Sequence, residues 1–456
     1  ASDADLIVVN HHLFFADMAL KDTGFGELLP QMDVVIFDEA HQIPDIASEY
    51  FGESLSSSLL LELCRDVDMA CKTELRDHPQ LAKIADKLAS QVRDWRLLLP
   101  DEPQKGNWRD LYQDAAQQQA MVRINDAMQL LYQVLKGSLG RADLVDNCYE
   151  RLATARSRLE KLLDVGKSGI SFWYETSRRH ISLHYTPLSI ADKFNSLVFG
   201  QKRSWIFTSA TLSVDAGFSH FTSQMGLQEA RTLQLDSPFD YPNQAMLVVP
   251  RYLPEPTDPR INQALLELAI PLITANNGRC FFLFTSHRML QWMAKALPER
   301  INLPVLVQGS TSKRILLEQF VALKHTVLLG TSSFWEGVDV RGDTLSCVII
   351  DKLPFASPDE PLLQARSEDA RLRGDDPFAK VQLPQAVITL KQGVGRLIRD
   401  VSDRGVLVIG DNRLVSRPYG EVFLKSLPPM RRSRDVGEAI EFLKLIHGDN
   451  SETSGA

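Results

Sequence analysis

The chain is predicted to be an α/β protein with two parallel-sheet halves and a helical insertion in the first. Three observations carry this. Short apolar runs rich in Val, Ile and Phe recur along the chain and end in polar or acidic residues, the pattern of strands buried in a parallel sheet. Beyond about residue 260 such runs alternate with stretches of helical spacing, which implies helices on both faces of a parallel sheet. Between about 50 and 175 the chain turns rich in Leu, Ala, Lys, Glu and Arg, a helical composition.

Taken in order, Ala4-Asp5-Leu6-Ile7-Val8-Val9-Asn10 reads as a strand with nothing before it, so the chain is expected to begin inside a larger fold. A helix follows His11 and His12. Val34-Val35-Ile36-Phe37 reads as a buried parallel strand, and residues 1–50 as part of a first α/β lobe. Residues 51–175 read as the helical insertion: no glycine occurs from Ser54 to Lys105, and helical spacing resumes at Met121–Leu135 and Asp143–Leu163. Pro100–Gly106 is a turn signal, and Trp95 and Trp108 are expected in the insertion's core. Residues 176–240 return to the first lobe with the strand Ser204–Thr208.

Six prolines from Pro238 to Pro259 mark a boundary near 235–260. Residues 241–447 read as the second lobe. Its strands are expected at Cys280–Phe284, Val305–Val307, Thr326–Leu329, Cys347–Asp351 and Val406–Ile409, and its helices at 259–275, 287–297, 312–323, 384–399 and 435–446. Residues 448–456, small and polar, are expected to be disordered.

With 456 residues the chain can hold two to four domains. Its 44% hydrophobic and 24% charged residues are those of an ordinary globular protein. No run approaches the ~20 apolar residues that span a bilayer, and no secretory signal is visible, so no membrane partner and a cytoplasmic location are expected. Five cysteines without a Cys-x-x-Cys pair form no zinc or disulfide framework. A net charge of −8 argues against a protein coated with nucleic acid, but leaves room for a local basic groove.

The chemistry begins at Asp38-Glu39-Ala40-His41. In open α/β sheets ligands bind at the carboxyl ends of strands. An acid there can hold Mg²⁺ against a nucleotide's phosphates, and a second can orient or deprotonate the attacking water. Alone, the tetrapeptide reads equally well as a strand ending in solvated acids. Four further stretches follow in order, each at a strand end or a helix start: Thr208-Ser209-Ala210-Thr211-Leu212, Phe281–Ser286, Gly330–Asp339 and Gln392–Arg399. In the last, Gln392, Arg396 and Arg399 fall at i, i+4 and i+7, so they are expected to share one helix face. Two arginines on one face can bind a triphosphate with forked hydrogen bonds, acting from the second lobe as fingers on the γ-phosphate of ATP held by the first.

In this order the five stretches resemble the superfamily-two helicases, and within them the XPD/DinG family of iron–sulfur DNA helicases. Val8–Leu13 resembles the segment after the iron–sulfur module, and Asp236–Tyr241 the bacterial branch at the crossing into the second lobe. The resemblance implies two RecA-like lobes, the first truncated at its amino terminus, with a helical arch inserted, and ATP-driven 5′→3′ movement on single-stranded DNA in repair at damaged or stalled forks. It implies that Asp38 is the Mg²⁺ residue and Glu39 the water-activating base. It also implies that Gln392 senses the γ-phosphate and that His41 couples to Ser209 and Thr211. Gly337 and Asp339 would belong to the nucleotide site, Glu336 would feel both nucleotide and DNA, and Asn10, His11, Thr285 and Ser286 would lie on the DNA side.

Two parts of that family's machinery have no counterpart here. No Gly-x4-Gly-Lys-Ser/Thr loop precedes Asp38, and Gly166-Lys167-Ser168 follows a helical stretch and reads as a plain loop. None of the five cysteines matches the family's cluster ligands, so a [4Fe–4S] cluster is expected only in a longer protein. These 456 residues by themselves are expected not to turn over ATP. The rival reading is a non-catalytic DNA- or protein-binding module derived from a helicase. The apolar segment from Val436 to Ile446 either docks on the second lobe or is a partner site. For the latter, the resemblance points to the χ subunit of the replicative clamp loader.

Overall fold

The computed structural model describes residues 4–23, 28–75, 78–199, 203–214, 217–331, 334, 340, 344–358 and 360–453. The chain divides into two compact units. One comprises Ala1–Thr208, Ser223–Leu227 and Ser357–Val381, the other Ser209–Thr222, Gln228–Ala356 and Gln382–Ala456.

Among the described residues the first unit holds β1 (Val34–Phe37), β2 (Glu53–Ser56), β3 (Lys105–Asn107), β4 (Ile170–Thr176), β5 (Ile181–Pro187) and β6 (Ser204–Phe207). Strands β1 and β6 pair in parallel, Phe37 opposite Phe207. Val35 and Phe37 are buried beneath the helix His11–Thr23, whose Phe14 ring meets Phe37 edge-on at 5.0 Å. Burial of the whole apolar run was expected. Instead Val34, Ile36 and Ile206 are exposed, because successive strand side chains point to opposite faces and this helix covers only one of them. Ala4–Asn10, expected as a strand, pairs with none of the described strands. It leads into the helix, where Asn10 is the N-cap: its Oδ1 accepts from the Leu13 amide at 2.7 Å.

The insertion packs the helices Ser57–Thr73, Pro79–Leu97, Ala115–Lys136 and Asp143–Leu163 around one core. Trp95 and Trp108 are buried in it, their indole N–H groups donating to Gln117 Oε1 (3.1 Å) and the Leu162 carbonyl (3.0 Å). The insertion is not purely helical. An antiparallel sheet of order β2-β5-β4-β3 closes it and runs to Pro187, into the stretch read as the returning first lobe. The period-2 signal lies in β5, where Ile181 and Leu183 are buried while Ser182 and His184 are only partly so, as in a strand with one face on a core. Gly166–Ser168 is a loop; Arg109 holds its two ends through the Val165 and Lys167 carbonyls, both at 2.7 Å.

The helix Pro361–Leu372 falls in the span expected as second lobe but clusters with the first unit. It packs on β4 and β3, and Arg366 bonds Asp45 at 2.8 Å. Sequence order does not reveal this, because the binding surface is a sheet some 190 residues upstream.

The second unit contains β7 (Ala245–Val248), β8 (Cys280–Leu283), β9 (Val305–Val307), β10 (Val327–Gly330), β11 (Cys347–Ile350), β12 (Gly405–Ile409) and β13 (Arg431–Ser433). They form one parallel sheet of order β13-β7-β12-β11-β8-β10-β9. Every residue of β7, β8, β10, β11 and β12 is buried, hence their unbroken apolar runs. The helix expected over 384–399 spans only Leu383–Val394. Gly393 and Gly395 lower the tendency to continue, so Arg396 and Arg399 lie beyond it and do not share a helix face with Gln392. The segment 448–456, expected to be disordered, is helical as far as Thr453, continuing a helix that starts at Val436. Val436, Ala439, Leu443 and Ile446 of that helix join the second unit's core.

Candidate functional site

Asp38 sits where a parallel strand ends, and the neighbouring strand fixes it there. The Thr208 amide donates to the Phe37 carbonyl (2.8 Å), and the Ala40 amide donates to the Thr208 carbonyl (2.9 Å). The Thr208 hydroxyl donates to Asp38 Oδ1 at 3.2 Å. Beneath the turn the Phe37 ring stacks on Phe207 at 5.3 Å and Trp205 at 6.2 Å. Two exposed carboxylates thus stand on a rigid aromatic base.

Glu39 adopts φ 49° and ψ 45°, left-handed backbone for a residue with a side chain. Such a conformation costs roughly 1–2 kcal/mol and persists where surrounding bonds impose it. Here the imposing bonds are those of Phe37 and Ala40 to Thr208. The turn brings the Glu39 carboxylate to 3.3 Å from Nδ1 of the largely buried His41. His11 reaches the same corner and hydrogen-bonds the Asp38 main chain. Burial lowers the imidazole's pKa, against the raising effect of that bond and of the Asp38 carboxylate. The first unit therefore brings Asp38, Glu39, His41 and His11 together.

The donor set suits a hard cation. Asp38 Oδ1 takes the threonine bond and leaves carboxylate oxygen for a metal, and Mg²⁺ binds proteins through one or two carboxylates plus substrate phosphates. An iron–sulfur cluster has no fit among the residues present. Cys64, Cys71 and Cys148 are buried in the insertion's core, whereas Cys280 and Cys347 face each other in register on β8 and β11. Among the described residues no group of three or more His, Cys, Asp and Glu could hold a metal ion.

In the second unit the sheet's carboxyl ends again carry the candidates. Thr285 follows β8, but its amide and hydroxyl are taken by Asp351 at 3.0 and 3.3 Å. Ser286 caps the helix His287–Ala296, its Oγ accepting from the Met289 amide at 3.3 Å. Ser209 and Thr211 bond each other, their hydroxyls 3.2 Å apart. Gln392 is buried in its helix. Lys391, its neighbour, donates to the Ser213 carbonyl (2.9 Å) and hydroxyl (3.3 Å), and burial lowers its pKa. Glu336, Gly337 and Asp339 lie outside the described residues.

Sequence reading missed Asp351, at the end of β11. Its carboxylate accepts from Thr285 and the Lys352 amide (2.8 Å), and burial raises its pKa to about 7. It missed Asp411 too, fully buried, which accepts from the Leu353 amide (2.9 Å) and pairs with Arg413 at 2.7 Å. Asp351 carries the signal that picked out Asp38, an acid closing an apolar run; Asp411 has only its place two residues past β12.

Comparison with known proteins bears on the family and the fold. Residues 269–430 match the Helicase C-terminal domain family. The chain is 57% identical over 445 residues to the ATP-dependent DNA helicase YoaA of Escherichia coli, covering 98% of this chain and 70% of that protein. It is 32% identical over 453 residues to the ATP-dependent helicase DinG of Mycobacterium tuberculosis, covering 97% of this chain and 66% of that protein. A solved XPD helicase structure superposes with a TM-score of 0.54 at 17% identity, over 95% of this chain and 73% of that one, which supports two RecA-like lobes as the fold. On these relationships the chain belongs to the family of ATP-dependent DNA helicases that includes YoaA and DinG.

Proposed function

We propose that this chain supplies the hydrolytic acids and the second motor lobe of a helicase that moves 5′→3′ on single-stranded DNA, opening forked DNA during repair of damaged or stalled replication forks. One observation carries the reading. The Asp38–Glu39 pair stands at the carboxyl end of a parallel strand, held by Thr208 in an imposed left-handed turn. ATP is the substrate and Mg²⁺, held by Asp38, would neutralise its phosphates. Glu39 takes the proton of the attacking water, and His41, 3.3 Å away, orients that carboxylate. Arg396 and Arg399 bind the γ-phosphate, where charge develops, and Gln392 senses it. Ser209 and Thr211 relay the nucleotide state together with Glu336, and Gly337 and Asp339 belong to the nucleotide site. Asn10, His11 and Ser286 belong to the DNA side, where contacts to phosphate carry no sequence information, while Thr285, its donors held by Asp351, fixes the strand end beside Ser286.

By the same reading, residues 1–50 and 176–240 contribute to the first lobe, 51–175 to an arch and 241–447 to the second lobe. The protein works in the cytoplasm, and a [4Fe–4S] cluster belongs to the complete gene product only. The 456 residues contain no Walker-type phosphate loop, so by themselves they leave ATP neither cradled nor aligned and do not turn it over. The exposed side of the helix from Val436, with Leu445 66% accessible, is the candidate seat for the clamp-loader χ subunit. Retention of χ by a Leu445→Glu variant would remove that assignment.

The test uses the complete gene product with Mg²⁺ and ATP. Unwinding of a duplex with a 5′ single-stranded tail, abolished by Glu39→Gln, is the expected result. Unwinding of the 3′-tailed duplex alone would overturn the polarity, and unchanged phosphate release by Glu39→Gln would overturn the assignment of the base.

A further inference from the structure

The helix Leu383–Val394 ends before Arg399, so something other than a helix must hold that arginine. The next residues form a short loop, 400–403, that returns to β12 at Gly405. Asp403, 6% exposed, reaches back with one carboxylate oxygen. Its Oδ2 accepts from the Arg399 and Asp400 amides, both at 2.8 Å. Gln244, 6% exposed, clasps the loop from below. Its Nε2 donates to the Val401 and Asp403 carbonyls at 2.8 and 3.0 Å, with the Asp400 carbonyl at 3.3 Å. Gln244 directly precedes β7, and Ala245 pairs with Gly405 of β12, so both anchors are rooted in the sheet. At Gly405 an added Cβ would stand 2.6 Å from the Ser346 carbonyl oxygen, so the loop must enter the sheet at a glycine.

We propose that Asp403 is a positioning residue for Arg399, its carboxylate setting the main-chain direction from which the guanidinium reaches phosphate. Two features separate this from ordinary loop packing. Both amides held by Oδ2 belong to the arginine and the residue after it, at the point where helical hydrogen bonding has stopped. The other oxygen, Oδ1, is buried and takes no hydrogen bond among the described residues. A buried acceptor left unsatisfied costs stability, so an acid at this place is not explained by loop stability alone. Misplacing a catalytic group by about 1 Å can cost ~10²-fold in rate. An interaction made only in the transition state lowers kcat rather than raising KM.

The inference rests on Arg399 acting on phosphate, and the experiment separates the two claims. DNA-stimulated ATP hydrolysis by the complete gene product is measured for Arg399→Ala, Asp403→Ala, Asp403→Asn and the Arg399→Ala/Asp403→Ala double variant, with thermal unfolding to verify folding. The expected pattern is a ~10²-fold fall in kcat for Asp403→Ala at nearly unchanged KM for ATP. Asp403→Asn, whose amide oxygen still accepts from both amides, recovers most of the rate. The double variant is no slower than Arg399→Ala, because a misplaced arginine and a missing one fail alike. A normal rate in Arg399→Ala would overturn the reading of the arginine itself. A slow Arg399→Ala beside a normal Asp403→Ala, losses that multiply in the double variant, or a folded Asp403→Asn as slow as Asp403→Ala would overturn the positioning role.

Discussion

Thr208 holds Asp38 from the neighbouring strand: its hydroxyl lies 3.2 Å from Asp38 Oδ1, and its amide and carbonyl bracket the turn through Phe37 and Ala40. The carboxylate is therefore oriented before any ligand arrives. Replacing Thr208 by Val removes the hydroxyl and keeps the shape. ATP turnover in the complete gene product should fall about tenfold, the scale of one lost hydrogen bond to a charged group. Unfolding should shift little, since Thr208 is exposed. Unchanged turnover would show that the hydroxyl does not orient Asp38.

The left-handed backbone of Glu39 separates stability from activity. Glu39→Gly should be more stable than Glu39→Ala by about 1 kcal/mol, because glycine adopts positive φ without a Cβ clash. Both variants should lose turnover. Chemical denaturation of the two, side by side, reads the difference; equal midpoints would mean that the turn relaxes.

Arg399→Ala in the complete gene product should lower ATP turnover by ~10³-fold or more, the scale of a lost arginine finger, with the melting temperature nearly unchanged because the guanidinium belongs to a partly exposed residue. Steady-state phosphate release with single-stranded DNA measures it, and a wild-type rate would remove Arg399 from the site.

Asp351 gives a pH signature. Burial raises its folded pKa to about 7, whereas an unfolded aspartate titrates near ~3.9. Between these values the folded state binds more protons, so this group's contribution to stability is full below about pH 4. It declines as pH rises through 7 and is level above. The unfolding midpoint of the wild type relative to Asp351→Asn should therefore fall from pH 4 to 7 and flatten beyond. A difference independent of pH would mean that Asp351 is ionised throughout.

Much of this protein was legible in its residues taken one after another. The strands of the second sheet show as apolar runs because both their faces are buried, so composition alone carries the signal. The place of Asp38 and Glu39 at a strand end could be read because an acid closing such a run is a local pattern, as is the amphipathic spacing of the insertion's helices. Tertiary structure alone decided the rest. Gln392, Arg396 and Arg399 have helical spacing, yet beyond Val394 the chain takes a course held by Gln244, 157 residues away in sequence from Val401. Thr285 looks free to touch phosphate, but a buried Asp351 some 66 residues away takes its donors. The helix Pro361–Leu372 joins the first unit because its partner surface is a sheet made of distant strands. Periodicity reports which face of an element is apolar; which groups meet there depends on contacts between residues far apart in sequence, and those exist only once the chain has folded.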